Sequence, residues 1–270
     1  RQRQMCIRDR IKPWAYEGKL PTFKVIMDNS ARGTLESTLP PLSPSAWSSI
    51  FTGVTPAKHS VWGFVKQKKD SYFIRPITSK DIKEKLLWDY LTENGLKGIF
   101  FNIPFVYPPK KINGILTTGL GTPSKNSNFA YPPEVKHEIR EKFPDYDVDF
   151  NEDEILRFGN KRSISEKILK ITKAHMDAFK FYYKKEKAYV YSVVIRSLDV
   201  VQHYFWDDLD TLFQFYNQAD DFLAWILANK KREDILVICS DHGFRGINKN
   251  FYINDFLKKQ LSFSNTLLYY

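Results

Sequence analysis

The chain has 270 residues, 43% of them hydrophobic and 27% charged, with a formal net charge of +10. That length fits one large α/β domain or two modest ones, and the composition reads as globular and soluble. No apolar run approaches the ~18 residues of a membrane span, no charged-then-apolar leader is visible, and two cysteines, Cys6 and Cys239, exclude a disulfide framework.

Neither cysteine sits in a paired-thiolate spacing, which argues against a thiolate zinc site. The basic residues are scattered. The short clusters Lys66–Lys69, Lys184–Lys185 and Lys230–Arg232 read as solvated surface, so no nucleic-acid duplex binding is expected. A cytoplasmic location is the default expectation.

In chain order, residues 1–10 fit nothing that follows. They resemble translated sequencing-adapter read-through and are set aside with Cys6 as non-native. The native chain is expected to begin near Ile11, with a true amino terminus lost. Residues 13–33 read as a helix and loop. Residues 33–38 alternate apolar and polar, the pattern of a strand. Residues 39–44 hold three prolines, a rigid turn, and 45–51 have helical character before Thr52-Gly53. Residues 98–103 read as a buried strand, 163–185 as a helix, 188–195 as a strand covered on both faces, 209–229 as a helix and 234–239 as a second buried strand. Residues 261–270 carry no helix stop or cap and read as a frayed edge.

Strands alternating with helices predict an α/β fold, a mostly parallel sheet sandwiched between helices. Residues 11–270 form one such domain. Within it, 65–160 are richer in proline, lysine and aromatics and are expected to be an irregular insertion or cap.

Two acidic–histidine pairs follow the two strongest predicted strands: Asp199 with His203, and Asp241 with His242 inside Ser240-Asp-His-Gly243. Functional groups gather at the carboxyl ends of strands in an open parallel sheet. Asp and neutral His are zinc-type ligands, and two such pairs can hold two ions close together. Taken singly, each pair is more often a turn or a helix cap than a ligand set. Ser43 is the candidate nucleophile, at the start of a helix whose free N–H groups suit a phosphate. Read locally, Ser43 is first a cap for the helix from Ser45 onward. No Gly-x-Ser-x-Gly elbow is present, so metal coordination is the better route to activating it.

The segments Gly18–Pro21, Ala31–Gly33, Ser37–Gly53 and Pro56–Phe64 together resemble the alkaline phosphatase superfamily. The resemblance is closest to the branch of phosphohydrolases and phosphomutases near type I phosphodiesterases and nucleotide pyrophosphatases. Asn102–Pro109, Asn113-Gly114, Gly119, Tyr131–Pro133, Asp199…His203-Tyr-Phe-Trp206 and Ser240–Gly243 extend it over about residues 13–260. The resemblance implies an alkaline phosphatase-like sheet and a small phosphate-ester substrate. It implies Ser43 as a nucleophile that forms a covalent phosphoserine. It also implies two divalent metal ions, zinc by default with manganese as the alternative: Asp199 and His203 on one, Asp241 and His242 with the Ser43 oxygen on the other.

The sequence departs from that pattern in three places. The family's first ligand, an Asp in a strand-end Asp-Gly, lies upstream of Ile11. No His follows His242, where the family carries another ligand. The phosphate-holding Asn of nucleotide pyrophosphatases has no counterpart near Phe64. A phosphomutase of the same superfamily and a non-catalytic anion-binding member are the competing readings. Sulfatase chemistry ranks low, because Ser43–Trp47 lacks the Cys/Ser-x-Pro-x-Arg arrangement. His59, at the exit of the nucleophile helix, and His137 and His175 read as structural.

Overall fold

The computed structural model describes residues 10–150, 160–246 and 249–261. Residues 1–9 and 262–270, with Cys6 and nearly all of the two segments set aside above, lie outside the described residues. Arg10 is described: its guanidinium lies 4.3 Å over the Trp206 ring and donates to the Trp206 carbonyl.

Two short helices open the chain, α1 (Lys12–Tyr16) and α2 (Pro21–Asn29). The free N–H groups of Thr22 and Phe23 at the start of α2 both donate to the Asp220 carboxylate, at 3.1 and 2.7 Å, which satisfies a side chain that is only 2% exposed. Next come α3 (Ser43–Thr52) and α4 (Pro56–His59). Pro44 presets the first turn of α3, and Gly53, at φ 73°, ends it in the left-handed conformation that only glycine adopts freely. A hairpin, β1 (Val65–Gln67) and β2 (Ile74–Pro76), precedes α5 (Leu87–Glu93).

The central sheet is built from β3 (Gly98–Ile103), β4 (Gly114–Thr118), β5 (Ala130–Tyr131) and β6 (Val190–Val193), in the order β5-β4-β3-β6. The β3–β4 and β3–β6 pairs are parallel and β4–β5 is antiparallel. Helix α6 (Pro133–Lys142) follows β5. Helix α7 (Lys161–Lys185) precedes β6, with the Asn160 side chain accepting from Ser163 N–H as its cap. Helices α8 (Ser197–Tyr204), α9 (Leu209–Asn229) and α10 (Ile253–Leu261) complete the described chain.

Both faces of β3 are buried, as its continuous apolar run predicts. Ile99 and Phe101 pack with Ile139, Phe179 and Phe222 of α6, α7 and α9. Phe100 and Ile103 pack on the other face with Phe51 and Trp88 of α3 and α5. Strict alternation would put Ile103 beside Phe101. The register with β4 slips between Phe100 and Ile103, and Asn102 at φ 57° absorbs the kink. The mixed α/β architecture, a mostly parallel sheet between helices, is the one expected of an alkaline phosphatase-like fold.

Three sequence expectations are corrected. Residues 65–160 are not wholly an insertion, since β3, β4 and β5 supply three of the four sheet strands. The hairpin forms a separate two-stranded sheet. Residues 33–38 form no strand, and Gly33–Glu36 are exposed. Residues 234–239 form no buried strand either: Ile235 is 89% and Val237 77% exposed. Their β-branched run suits a sheet interior, but among the described residues β6 pairs only with β3.

Candidate active site

Ser43 is the first residue of α3. The N-cap is Leu42, in extended conformation, and no side chain caps the helix. The Ser43 hydroxyl is thus free of the capping role that local sequence suggested. It lies instead 2.8 Å from His242 Nε2. The other ring nitrogen of His242 is 3.0 Å from the Gly243 carbonyl, which can only accept, so Nδ1 carries the proton. With the ring neutral, Nε2 keeps a lone pair and Ser43 Oγ–H donates to it; with the ring protonated, Nε2–H donates to Ser43 Oγ or to Asp241.

Asp241 Oδ2 lies 3.3 Å from the same Nε2. Three lone-pair-bearing atoms, from Ser43, Asp241 and His242, therefore meet around one point. Burial pushes the Asp241 carboxyl above the usual carboxylate range, the nearby His242 pulls it down, and Asp199 pushes it up again. The Asp199 carboxylate is consequently close enough to be felt. The turn that carries Asp241 is tied to the chain ahead of α3 by Ser37 Oγ, which donates to the Asp241 carbonyl at 2.7 Å.

Asp199 sits in the first turn of α8, just past the carboxyl end of β6, and His203 sits one turn later. Their side chains are 3.8 Å apart. Phe244 joins the two halves: its ring meets His203 edge-on at 4.7 Å and stacks on Trp206 at 5.5 Å. The structure thus brings Ser43, Asp241 and His242 into contact and sets Asp199 within electrostatic range. His203 stands beside them through Phe244. Among the described residues, no three His, Cys, Asp or Glu side chains gather as one cluster.

The remaining histidines have other duties. His59 is fully buried, its Nδ1 accepting from Val61 N–H and its Nε2 meeting Ser49 Oγ at 2.9 Å, so it ties α4 to the middle of α3. His175 is buried on α7, with Nε2 donating to the Asp147 carbonyl and Asn102 Nδ2 3.4 Å from Nδ1. Burial lowers its pKa to about 4. His137 is exposed on α6.

Sequence reasoning missed two features. The Ser37 link spans 204 positions, and no local pattern announces it. Phe244 is the residue after a recognised motif, and its aromatic character was the available signal.

The family model for type I phosphodiesterase / nucleotide pyrophosphatase matches residues 8–267 of the chain. No curated protein and no solved structure matches it. Members of that family generally use divalent metals, and the donors here suit such an ion in kind. Ser43, Asp241 and His242 offer one nitrogen and two oxygens, the set that zinc and manganese accept. Among the described residues, no Lys or Arg pairs with the half-buried Asp241 carboxylate, which leaves it suited to a cation.

Proposed function

The chain belongs to the type I phosphodiesterase / nucleotide pyrophosphatase family, and from that premise we propose that it is a metal-dependent hydrolase of small phosphate esters with Ser43 as its nucleophile. The observation that carries the reading is the 2.8 Å hydrogen bond between the Ser43 hydroxyl and His242 Nε2, at the first turn of α3.

A serine hydroxyl is a weak nucleophile until its proton has somewhere to go. With no ion on it, His242 Nε2 can receive that proton; with an ion on Nε2, the ion would lower the hydroxyl pKa and the proton would pass to solvent. Ser43 Oγ attacks phosphorus, forming the new P–O bond as the bond to the leaving oxygen breaks in line. The start of α3, with no side chain capping it, would favour the charge that gathers on the phosphoryl oxygens. Water then attacks the phosphoserine, the P–O bond to Ser43 breaks, and the serine oxygen regains a proton. Two divalent ions, zinc or manganese, when held by Asp241 and His242 with the Ser43 oxygen and by Asp199 and His203, would lower the hydroxyl pKa and neutralise developing phosphoryl charge. A second reading is an anion-binding member without turnover, since the uncapped start of α3 suits a phosphate whether or not it reacts.

A chromogenic phosphodiester and a phosphomonoester, each assayed with zinc or manganese, separate the two readings. Metal-dependent turnover that falls by at least ~10³-fold in Ser43→Ala supports the nucleophile. Full activity in Ser43→Ala rules it out. No turnover of either ester with either metal leaves the anion-binding reading.

A further inference from the structure

Leu42, the residue before Ser43, is exposed, and Gly63 packs against it: a Cβ built on Gly63 would lie 3.7 Å from Leu42 Cδ1. Trp62 and Phe64 flank that glycine. Both aromatic residues are therefore next in the chain to a contact one residue away from the candidate nucleophile. Trp62 is 54% exposed and Phe64 is exposed as well. Aromatic surface of this size dominates binding energetics wherever it is covered.

The base beneath this surface is fixed. The Phe64 ring meets Phe105 edge-on at 5.6 Å, and the Phe64 carbonyl accepts from Ile77 N–H at 3.0 Å. Phe105 is buried and held at φ 60° by its N–H donating to the Leu120 carbonyl at 2.7 Å. A bulky residue in that conformation costs ~1–3 kcal/mol and persists only where its surroundings dictate it. Neither aromatic ring carries a charge. The hairpin cations Lys66 and Arg75 are engaged with Asp81. This surface is therefore unsuited to holding a phosphate and suited to whatever apolar group the phosphate carries.

We propose that Trp62 and Phe64 form a specificity wall beside Ser43 that selects phosphoesters whose ester group is flat and apolar. The proposal rests on the reading of Ser43 as nucleophile, since that fixes which end of the substrate meets the wall.

Calorimetric titration with phenylphosphonate and methylphosphonate, neither of which is hydrolysed, tests the wall without turnover. Phenylphosphonate is expected to bind the parent chain at least ~10-fold more tightly. Trp62→Ala, at an exposed position, narrows the ratio to about 2-fold or less, and the milder Phe64→Leu narrows it part of the way. In turnover, p-nitrophenyl phenyl phosphate and p-nitrophenyl methyl phosphate share a leaving group, and the same preference appears in KM. Equal affinity of the parent for the two phosphonates, or an unchanged preference in both variants, overturns the proposal. Turnover that survives in Ser43→Ala alongside an intact phenyl preference counts against the nucleophile and not against the wall.

Discussion

At the scale of single residues, His175 offers the sharpest pH dependence. Its pKa falls from an ordinary 6.5 to about 4 because burial penalises the charged ring. The unfolded chain binds the proton below 6.5 and the folded chain does not until about 4. Stability is therefore fully present above pH 6.5 and is lost as pH falls through that window, by up to ~3 kcal/mol in all. Urea unfolding at pH 7 and pH 4.5 measures the loss, and His175→Gln should flatten it. The sequence already marked His175 as structural, because it falls among apolar residues at helical spacing. It also marked Ser43, but with the wrong local duty. A serine beside a proline-led helix is commonly a cap, and only His242, 199 positions away, reveals where the hydroxyl points.

At the scale of elements, periodicity found the long helices and the double-sided strand 98–103, where each residue's burial follows from its neighbours in sequence. It failed at 33–38 and 234–239. There the pattern describes a strand, but a strand exists only when another backbone pairs with it. The hairpin depends on a contact of a different kind. Asp81 is nearly buried and accepts two bonds from Arg75, at 2.7 and 2.8 Å, one from Lys66 at 3.0 Å and one from Thr78 N–H at 2.9 Å. The Arg75 guanidinium foremost, helped by Thr78 N–H and Lys66, holds its carboxyl far below the usual carboxylate range against the opposing effect of burial. Asp81→Ala leaves two cations facing a vacancy, and a loss of ~2–4 kcal/mol in global or local stability is expected. Hydrogen exchange should show the hairpin amides, Lys68 N–H to Phe73 O among them, losing protection before the central sheet does.

At the scale of the whole molecule, family membership over residues 8–267 agrees with the resemblance carried by segments such as Ser37–Gly53 and Ser240–Gly243. The α/β class was legible because strand and helix periods alternate along the chain. The site was legible as a set of residue types, and its assembly was not. Ser43 meets His242, and Ser37 ties the Asp241 turn to the chain ahead of α3, while Asp199 is placed separately, just past the carboxyl end of β6. Divalent metal, were the site to hold it, would connect the site to global stability. If Asp241 and His242 hold zinc or manganese in the folded state alone, saturating metal raises the melting temperature of the parent. The rise should shrink in Asp241→Asn, measured by calorimetry with chelator-treated protein as reference. An equal rise in both would move the metal elsewhere.

The uncovered run at residues 235–238 bears on how the protein behaves in company. An apolar, strand-forming segment in one molecule and the outer margin of β6 in another are two halves of the same ladder. At low concentration each stays wet. As molecules crowd, each can supply what the next one lacks, and sheets extend from copy to copy with no loss of the central fold. The net charge of +10 opposes that growth through mutual repulsion, so added salt removes the brake. The same feature that interrupts the sheet thus makes colloidal lifetime a function of ionic strength.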